Sequence, residues 1–230
     1  MHTLRLLHLH TSPFSERVRW VLELKRIAYA SERYSIGRGE ELLVKETGQR
    51  QVPVLFVDGT PLPDSTAIVD WLEDLVPEPR LLPADPRAAA QVRLFEELAN
   101  AVIAPEGRQL VIGRMLAVTD ERLVASGRTM AEKYGHSPYV ERRARGALGR
   151  ALSILAEAIE GRRYLVGDVF TRADLTVAAM LLDAVPPPEE LFECQPPFMR
   201  ALMTDELLGR EPRFAPVFAW RDRVYREHRC

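Results

Sequence analysis

The sequence predicts an α/β domain at the N-terminus and an all-helical domain after it. Strand-like and helix-like patterns alternate up to residue 76 in the order βαβ, a weaker helix, then ββα. Residues 77–86 contain four prolines, which remove backbone donors and disfavour helix, so this segment is predicted to be a linker. Beyond it nothing has a strand pattern. We therefore expect an α/β domain at 1–78, a linker at 79–86 and a helical domain at 87–230.

The first strand is the apolar run from Leu4 to His10, and a helix is predicted from Ser15 to Arg26. The face of this helix expected to be buried carries Val18, Val21, Leu22 and Lys25. The residues expected to point elsewhere are Arg17, Glu23 and Arg26.

A short strand at 30–34 and a weak helix from Gly39 to Glu46 come next. The β-rich run 52–57 is closed by Asp58-Gly59, a strong hairpin signal. Its partner strand is 60–63, where two prolines confine it to a sheet edge or a strand end. A helix over 65–76 completes the domain.

In the second region we predict helices at 87–119, 137–159, 171–184 and 216–227. Ser137-Pro138 is a capping residue followed by proline at the first helical position. Thr171 and Asp174 have the spacing of a capping box, so we assign Asp174 a structural role. The segments 186–188 and 195–197 are expected to be ordered loops, because apolar residues flank both.

The composition argues against several classes of protein. A formal charge of −2 over 230 residues provides no basic face for nucleic acid, and no apolar run approaches the ~18 residues of a membrane span. The cysteines, Cys194 and Cys230, form neither a CxxC pair nor a metal-ligand spacing. No signal-peptide pattern follows Met1. We expect a cytoplasmic protein without a metal and without nucleic-acid or membrane partners.

Three short motifs stand at predicted element starts: Ser12-Pro13-Phe14-Ser15, Val52-Pro53 and Asp64-Ser65. A serine at a helix N-terminus lies in positive potential, where its hydroxyl can stabilise a thiolate. Asp64-Ser65 at a second helix start has the character of an anion site. Taken singly, each motif can also be explained structurally, as a helix cap or as a proline that begins a strand.

Together with the run Tyr164 to Asp174, these motifs make the chain resemble the serine-type cytosolic glutathione S-transferases nearly end to end. The resemblance implies a thioredoxin-like domain that binds glutathione and an all-helical domain that shapes the second substrate's site. It also implies a homodimeric enzyme whose glutathione thiolate attacks a small hydrophobic electrophile, with glutathione as co-substrate and no other cofactor. A glutathione-dependent isomerase or dehalogenase fits the same class. The alternative is a non-catalytic ligand-binding or protein-interaction module.

The resemblance gives the thiol-activating role to Ser12, with Ser15 as the nearest competitor. Val52 precedes a proline that is cis in thioredoxin-like folds, and its N–H and C=O would pair with the cysteinyl backbone of glutathione. Ser65 would bind the γ-glutamyl carboxylate and Asp64 the ammonium. Aspartate stands here where the family usually has glutamate, which shortens the reach of that contact.

The loop before Val-Pro commonly reads Asn-Pro-x-Gly-Lys in the family, whereas this chain has residues 47–51 of different sequence. The ligand of the glycyl carboxylate is therefore left open between Lys45, Arg50 and Gln51. The expected glutathione-binding residues are Phe14, Lys45, Arg50, Gln51, Val52, Pro53, Asp64 and Ser65. The expected second-substrate pocket contains Pro13, Arg108, Arg114 and Met115. Because serine replaces the nucleophilic cysteine of thioltransferase-like classes, disulfide exchange is not expected.

Overall fold

The computed structural model describes residues 2–34, 40–194 and 196–229, which form two compact units. The first unit runs from the N-terminus to Leu81 and also includes Arg229, and the second runs from Leu82 to His228. The boundary falls inside the proline-rich segment 77–86. The predicted helix start at Gly39, the loop residue Gln195 and Cys230 lie outside the described residues.

The first unit is built on a four-stranded mixed sheet. Its strands are β1 (Leu4–His8), β2 (Ala30–Arg33), β3 (Val54–Val57) and β4 (Thr60–Pro63), and its helices are α1 (Pro13–Leu24), α2 (Glu40–Thr47) and α3 (Ser65–Leu75). The strand order is β2-β1-β3-β4, with β1 parallel to β2 and antiparallel to β3, and β3 antiparallel to β4. The predicted order of elements is confirmed.

The hairpin between β3 and β4 forms as the sequence predicts. Asp58 and Gly59 have φ angles of 51° and 85°, the left-handed pair that a type I′ turn requires. The Asp58 carboxylate also accepts a hydrogen bond from Thr3 N at 2.8 Å. Strand β4 lies at the sheet edge, which confirms the position expected from its two prolines.

Helix α1 buries more charge than its pattern indicates. Val18, Val21 and Leu22 are fully buried as expected, but Arg17 is also fully buried, so the prediction that it points away from the core is wrong. Glu16 and Arg19 are buried as well, with Glu16 Oε2 2.5 Å from Arg19 Nη2. Buried charges are costly unless they are paired and hydrogen-bonded, so each of them must have specific partners.

The described part of the second unit is helical. Its α-helices are α4 (Pro86–Leu98), α5 (Ala104–Ala117), α6 (Glu121–Tyr134), α7 (Pro138–Ala158), α8 (Arg172–Met180), α9 (Met199–Met203), α10 (Glu206–Arg210) and α11 (Ala215–His228). Helices α6, α9 and α10 are not among those predicted from the sequence. Helix α6 buries Gly127, and its Leu123 and Met130, which lie on the same face at helical spacing, pack partly buried against Val111, Met115 and Leu202. Its ends are marked by the capping residue Asp120 and by Gly135 at φ 64°.

The long helix predicted over 87–119 is interrupted by a π-helical turn, Ala99–Ile103. Ala104 N donates to Ala99 O, five residues back. Pro105 comes next; it has no N–H to donate, and its ring would meet a carbonyl in a regular α-helix. The wider turn supplies the extra residue that carries the helix past this proline.

The start of α8 has the predicted capping box. The Asp174 carboxylate accepts hydrogen bonds from Thr171 N at 2.9 Å and from Leu165 N at 2.8 Å. The Ser137 hydroxyl caps α7 by accepting from Val140 N at 3.2 Å, again as predicted. Asp174 and Ser137 thus each stabilise the start of a helix in the second unit.

Candidate functional site

The three sequence motifs come together at one end of the sheet. Residues Leu7 and Val54 pair across the antiparallel strands β1 and β3, and Val54 pairs with Pro63 across β3 and β4. The C-terminal end of β1, the N-terminal end of β3 and the C-terminal end of β4 therefore share one end of the sheet. Ser12 follows β1, Val52 precedes β3 and Ser65 follows β4. A ligand bound at this end of the sheet would therefore lie near all three motifs.

Ser12 and Ser15 have different environments although only three residues separate them. Ser12 is the N-cap of α1, is partly exposed, and its Oγ accepts from Ser15 N at 3.4 Å. Ser15 is fully buried, and its Oγ accepts from Leu9 N at 3.3 Å. The Ser12 hydroxyl keeps its own hydrogen for a further acceptor, and the N-terminus of α1 adds positive potential there.

A buried ionic network fixes the loop between β1 and α1. Arg19 Nη2 donates to His10 O at 2.8 Å, and Arg19 Nη1 lies 2.8 Å from His8 Nδ1. Burial, followed by the nearby Arg19 charge, lowers the pKa of His8 to about 4. His8 is therefore neutral near pH 7, with Nδ1 as acceptor and Nε2 donating to Ser31 Oγ at 2.8 Å.

The same network extends to the end of the chain. Arg229 Nε lies 2.7 Å from Glu16 Oε1, and the Arg229 guanidinium also pairs with Glu23. Burial alone would raise the pKa of Glu16, but the charges of Arg19 and Arg229 outweigh it and the pKa is lowered. Glu16 thus stays ionised and holds Arg19 against the loop that carries Ser12.

At the start of α3, Asp64 is the N-cap and Ser65 the first helical residue. Asp64 Oδ1 accepts from Thr66 N and Ala67 N, both at 2.9 Å, and leaves the Ser65 N–H to another acceptor. Asp64 has φ 70° and ψ 119°, a conformation that costs a non-glycine residue free energy and is concentrated at functional sites. The Asp64 side chain is exposed, whereas Ser65 is 4 % exposed.

Arg17 is a buried polar residue of this region that the sequence motifs do not include. Its Nη2 donates to Ser65 Oγ and, at 3.0 Å, to Thr66 Oγ1. These contacts join the first turns of α1 directly to the first turn of α3. The sequence signal for such contacts is the spacing of Arg17 and Arg19 on either side of the buried Val18, since buried cations require dedicated partners.

The Val52–Pro53 peptide bond is cis, which confirms the expected isomer. Val52 packs against a buried cluster that contains Leu7 and Phe56. Lys45 in the last turn of α2, Arg50 and Gln51 are all exposed, so the three candidates for the glycyl carboxylate remain open. Phe14, the second residue of α1, is partly exposed.

The residues predicted for the second-substrate pocket differ in their burial and in their contacts within the protein. Pro13 is buried at the first position of α1. Met115 lies in a buried cluster with Val111 and Leu202. Arg114 donates to Leu202 O at 2.6 Å and lies 3.2 Å from Asp205 Oδ2. These contacts within the second unit account for the positions of Met115 and Arg114 without a ligand.

Arg108, on the same helix, stacks its guanidinium 4.3 Å from the centre of the Tyr134 ring. A buried carboxyl lies nearby at Asp183, whose pKa is raised to about 7 by burial against the opposing effects of Arg108 and Arg114. Carboxyls whose pKa is shifted by burial and by charged neighbours occur at functional sites and also in structural ion-pair networks. Arg108 thus remains a prediction for the second substrate.

Among the described residues, no group of three or more His, Cys, Asp and Glu side chains is arranged to hold a metal ion. In the same part of the chain, no helix combines the length and the apolar character needed to cross a membrane.

Comparison with known proteins places the chain in a family. Residues 6–80 match the model of the glutathione S-transferase N-terminal domain, and residues 117–196 match that of the C-terminal domain. The chain belongs to the glutathione S-transferase family. As a family member it is an enzyme of the glutathione-dependent transferase and isomerase type.

Two curated relatives illustrate the range of the match. A probable glutathione S-transferase of Nicotiana tabacum is 26 % identical over 176 residues, which cover 76 % of this chain and 68 % of the relative. The maleylacetoacetate isomerase of Rattus norvegicus is 29 % identical over 185 residues, which cover 75 % of this transferase and 74 % of the relative.

Two solved structures share the fold. A glutathione S-transferase of Methylobacillus flagellatus with glutathione bound has 25 % identity and a TM-score of 0.68, and the match covers 94 % of this chain and 93 % of that one. The glutathione-bound maleylacetoacetate isomerase of Anaeromyxobacter dehalogenans has 27 % identity and a TM-score of 0.63, and the match covers 97 % of this chain and 90 % of that one. The α/β unit followed by a helical unit is thus the glutathione transferase fold.

Proposed function

We propose that this transferase binds glutathione at the end of the sheet that carries Ser12, Val52 and Ser65, and activates its thiol for attack on a small hydrophobic electrophile. The observation that carries the proposal is the partly exposed Ser12 hydroxyl at the N-terminus of α1. The N-terminus of the helix acts like about half a positive elementary charge, which stabilises an anion there. A thiol held at this point loses its proton more readily, and the thiolate is the nucleophile.

Ser12 suits this role better than Ser15. The Oγ of Ser15 is buried and accepts from Leu9 N, so a ligand would have to open the first turn of α1 to reach it. The Ser12 hydroxyl accepts from Ser15 N with a lone pair and keeps its hydrogen to donate to sulfur. The buried Glu16–Arg19 pair holds the loop before Ser12 in place through His10 O, so the hydroxyl is positioned before the substrate arrives.

The peptide arms of glutathione would be bound by backbone and helix-start groups. Val52 offers an N–H and a C=O to the cysteinyl backbone, in the manner of an added strand. At α3, the Ser65 N–H and hydroxyl receive the γ-glutamyl carboxylate, as expected for an anion at a helix N-terminus. The exposed Asp64 carboxylate uses Oδ1 for the helix cap, and its Oδ2 is available to the ammonium. Lys45, Arg50 or Gln51 would meet the glycyl carboxylate, with Phe14 beside the cysteinyl group.

Retention on immobilised glutathione, followed by turnover of chlorodinitrobenzene and a panel of electrophiles, tests the proposal. The panel includes maleylacetoacetate, because two of the relatives described above are named as its isomerase. We expect retention that free glutathione reverses, and turnover of at least one electrophile. Absence of retention would instead favour a ligand-binding or protein-interaction module. Retention without any turnover would contradict the catalytic half of the proposal.

We further propose that the transferase is a homodimer in which the first unit of one subunit packs, through α3, on the exposed side of α4 in the helical unit of the other. Leu94 of α4 is 69 % exposed and Ile154 of α7 is 50 % exposed. A groove beside them is lined by the apolar residues Leu98, Val102, Ala147, Ala151 and Ile154 and by the charged residues Glu106, Arg143 and Arg150. Exposed apolar side chains beside charged ones give a mixed surface suited to a contact between two copies, and two-fold dimers are the commonest soluble assembly.

Light scattering at micromolar concentration tests the dimer. We expect twice the 26.1 kDa mass of one chain. Leu94→Glu should shift the mass toward one chain, because it places a charge in the proposed interface. Leu207→Glu is the matched control, since Leu207 is equally exposed, at 70 %, and belongs to α10 and not to α4. A mass of one chain for the unmodified protein would overturn the proposal.

A further inference from the structure

We propose that Arg17 is a positioning residue for the γ-glutamyl carboxylate of glutathione, acting through the Ser65 and Thr66 hydroxyls. This inference rests on the proposed function and adds to it a residue that reaches the ligand only through other side chains. The observation is that Arg17 Nη2 donates both to Ser65 Oγ and to Thr66 Oγ1, the latter at 3.0 Å. The geometry links a fully buried cation to the helix start where the carboxylate would be bound.

The direction of these hydrogen bonds gives Arg17 its effect. A guanidinium can only donate, whereas a serine hydroxyl can accept with its lone pairs and donate its single hydrogen. Ser65 Oγ accepts from Arg17, so its hydrogen is directed to another acceptor. A carboxylate at the helix start is such an acceptor, and charge-assisted hydrogen bonds of this type are the strong ones. Arg17 thus fixes Ser65 as a donor toward the ligand.

The buried position of Arg17 strengthens its influence. Its charge acts through protein rather than through water, so it is screened far less than a surface charge would be. It also lies behind the first turn of α3, on the same side as the positive end of the helix. An anion bound at Ser65 is therefore stabilised by the hydroxyl, by the helix terminus and by the buried Arg17 charge. A neutral group at the same place would be bound much less tightly.

A structural role alone would make Arg17 resemble Lys25, which provides a matched control. Lys25, at the C-terminal end of α1, has a fully buried side chain. Its Nζ donates to Val76 O at 2.7 Å and to Pro79 O at 3.0 Å, and it lies 2.7 Å from Glu73 Oε1. Arg17 and Lys25 thus both connect α1 to α3, one at the start of α3 and one at its end. Only Arg17 touches the proposed carboxylate site.

The test compares glutathione with 4-aminobutyryl-cysteinyl-glycine, which keeps the ammonium group and lacks only the α-carboxylate of the γ-glutamyl residue. Calorimetry gives the dissociation constants of both peptides for the unmodified transferase and for Arg17→Met, Arg17→Lys and Lys25→Met. We expect the unmodified protein to prefer glutathione by about ten- to hundredfold, the range of a charge-assisted hydrogen bond. Arg17→Met should reduce this preference by about three- to tenfold, because the Ser65 groups and the helix terminus remain, and kcat at saturating glutathione should change little.

The preference of Arg17→Lys for glutathione should lie between those of the unmodified protein and of Arg17→Met. Lysine keeps the positive charge but lacks the planar guanidinium that reaches both hydroxyls. Lys25→Met should lose thermal stability and keep the full preference. A full preference in Arg17→Met overturns the inference and leaves the proposed function standing. If Arg17→Met does not fold, Arg17→Lys decides, and an undiminished preference there overturns the inference. Equal binding of the two peptides by the unmodified protein contradicts the Ser65 assignment itself.

Discussion

Ser12→Ala should lower kcat by about ten- to hundredfold and leave the dissociation constant of glutathione within a few-fold. The hydroxyl is expected to donate to the thiolate, and one hydrogen bond to a charged group contributes about 1.5–3 kcal/mol. The peptide arms of glutathione have separate partners at Val52 and Ser65, so their binding should persist. Steady-state kinetics with an electrophile that the transferase turns over, together with calorimetry of glutathione, measures both quantities.

Ser15→Ala is the matched control for that change. It removes a buried Oγ that accepts from Leu9 N at 3.3 Å, so an orphaned donor should cost about 1–3 kcal/mol of unfolding free energy. The rate of the folded protein should stay near that of the unmodified transferase. A full rate in Ser12→Ala combined with a lost rate in Ser15→Ala would assign the role to Ser15 instead.

Ser65→Ala should weaken glutathione binding by about ten- to hundredfold, with a smaller effect on the rate of the bound substrate. The change removes the hydroxyl that Arg17 directs toward the carboxylate, a contact of about 1.5–3 kcal/mol. The Asp64 cap of α3 remains, because Asp64 Oδ1 binds Thr66 N and Ala67 N. The helix start should therefore survive the substitution.

Ser137→Ala provides the comparison for Ser65→Ala, since it removes a serine hydroxyl from another helix start. Ser137 caps α7 in the second unit through Val140 N, so its loss should cost about 1 kcal/mol of stability. Glutathione affinity should not change. Unchanged affinity in Ser65→Ala would refute the carboxylate assignment, and equal losses in the two variants would indicate a general effect of destabilisation.

The backbone plan of the first unit could be predicted because each element has a local signal. Strand β3 ends in Asp58-Gly59, whose left-handed φ angles close the hairpin, and the prolines of β4 place it at the sheet edge. The motifs at Ser12, Val52 and Ser65 follow from these signals, since they stand at strand ends that share one end of the sheet.

The buried polar contacts could not be predicted, because they depend on side chains far apart in sequence. Arg17 meets Ser65 across 48 positions, and Arg229 meets Glu16 across 213. Helical periodicity classes arginine as a surface residue and contains no information on such partners. The π-helical turn Ala99–Ile103 was missed for a different reason: Pro105 signalled an irregularity, but its geometry depends on the surrounding helices.

The central claim is that the Ser12 hydroxyl stabilises the thiolate of bound glutathione. Its most direct test is a pH titration of thiolate absorbance in the binary complex, free of any electrophile and of product release. We expect the bound thiol to ionise well below the ordinary thiol pKa of about 8.5, and we expect Ser12→Ala to return its pKa toward that value while Ser15→Ala does not. A bound thiol that titrates like free glutathione in the unmodified transferase would contradict this role of Ser12.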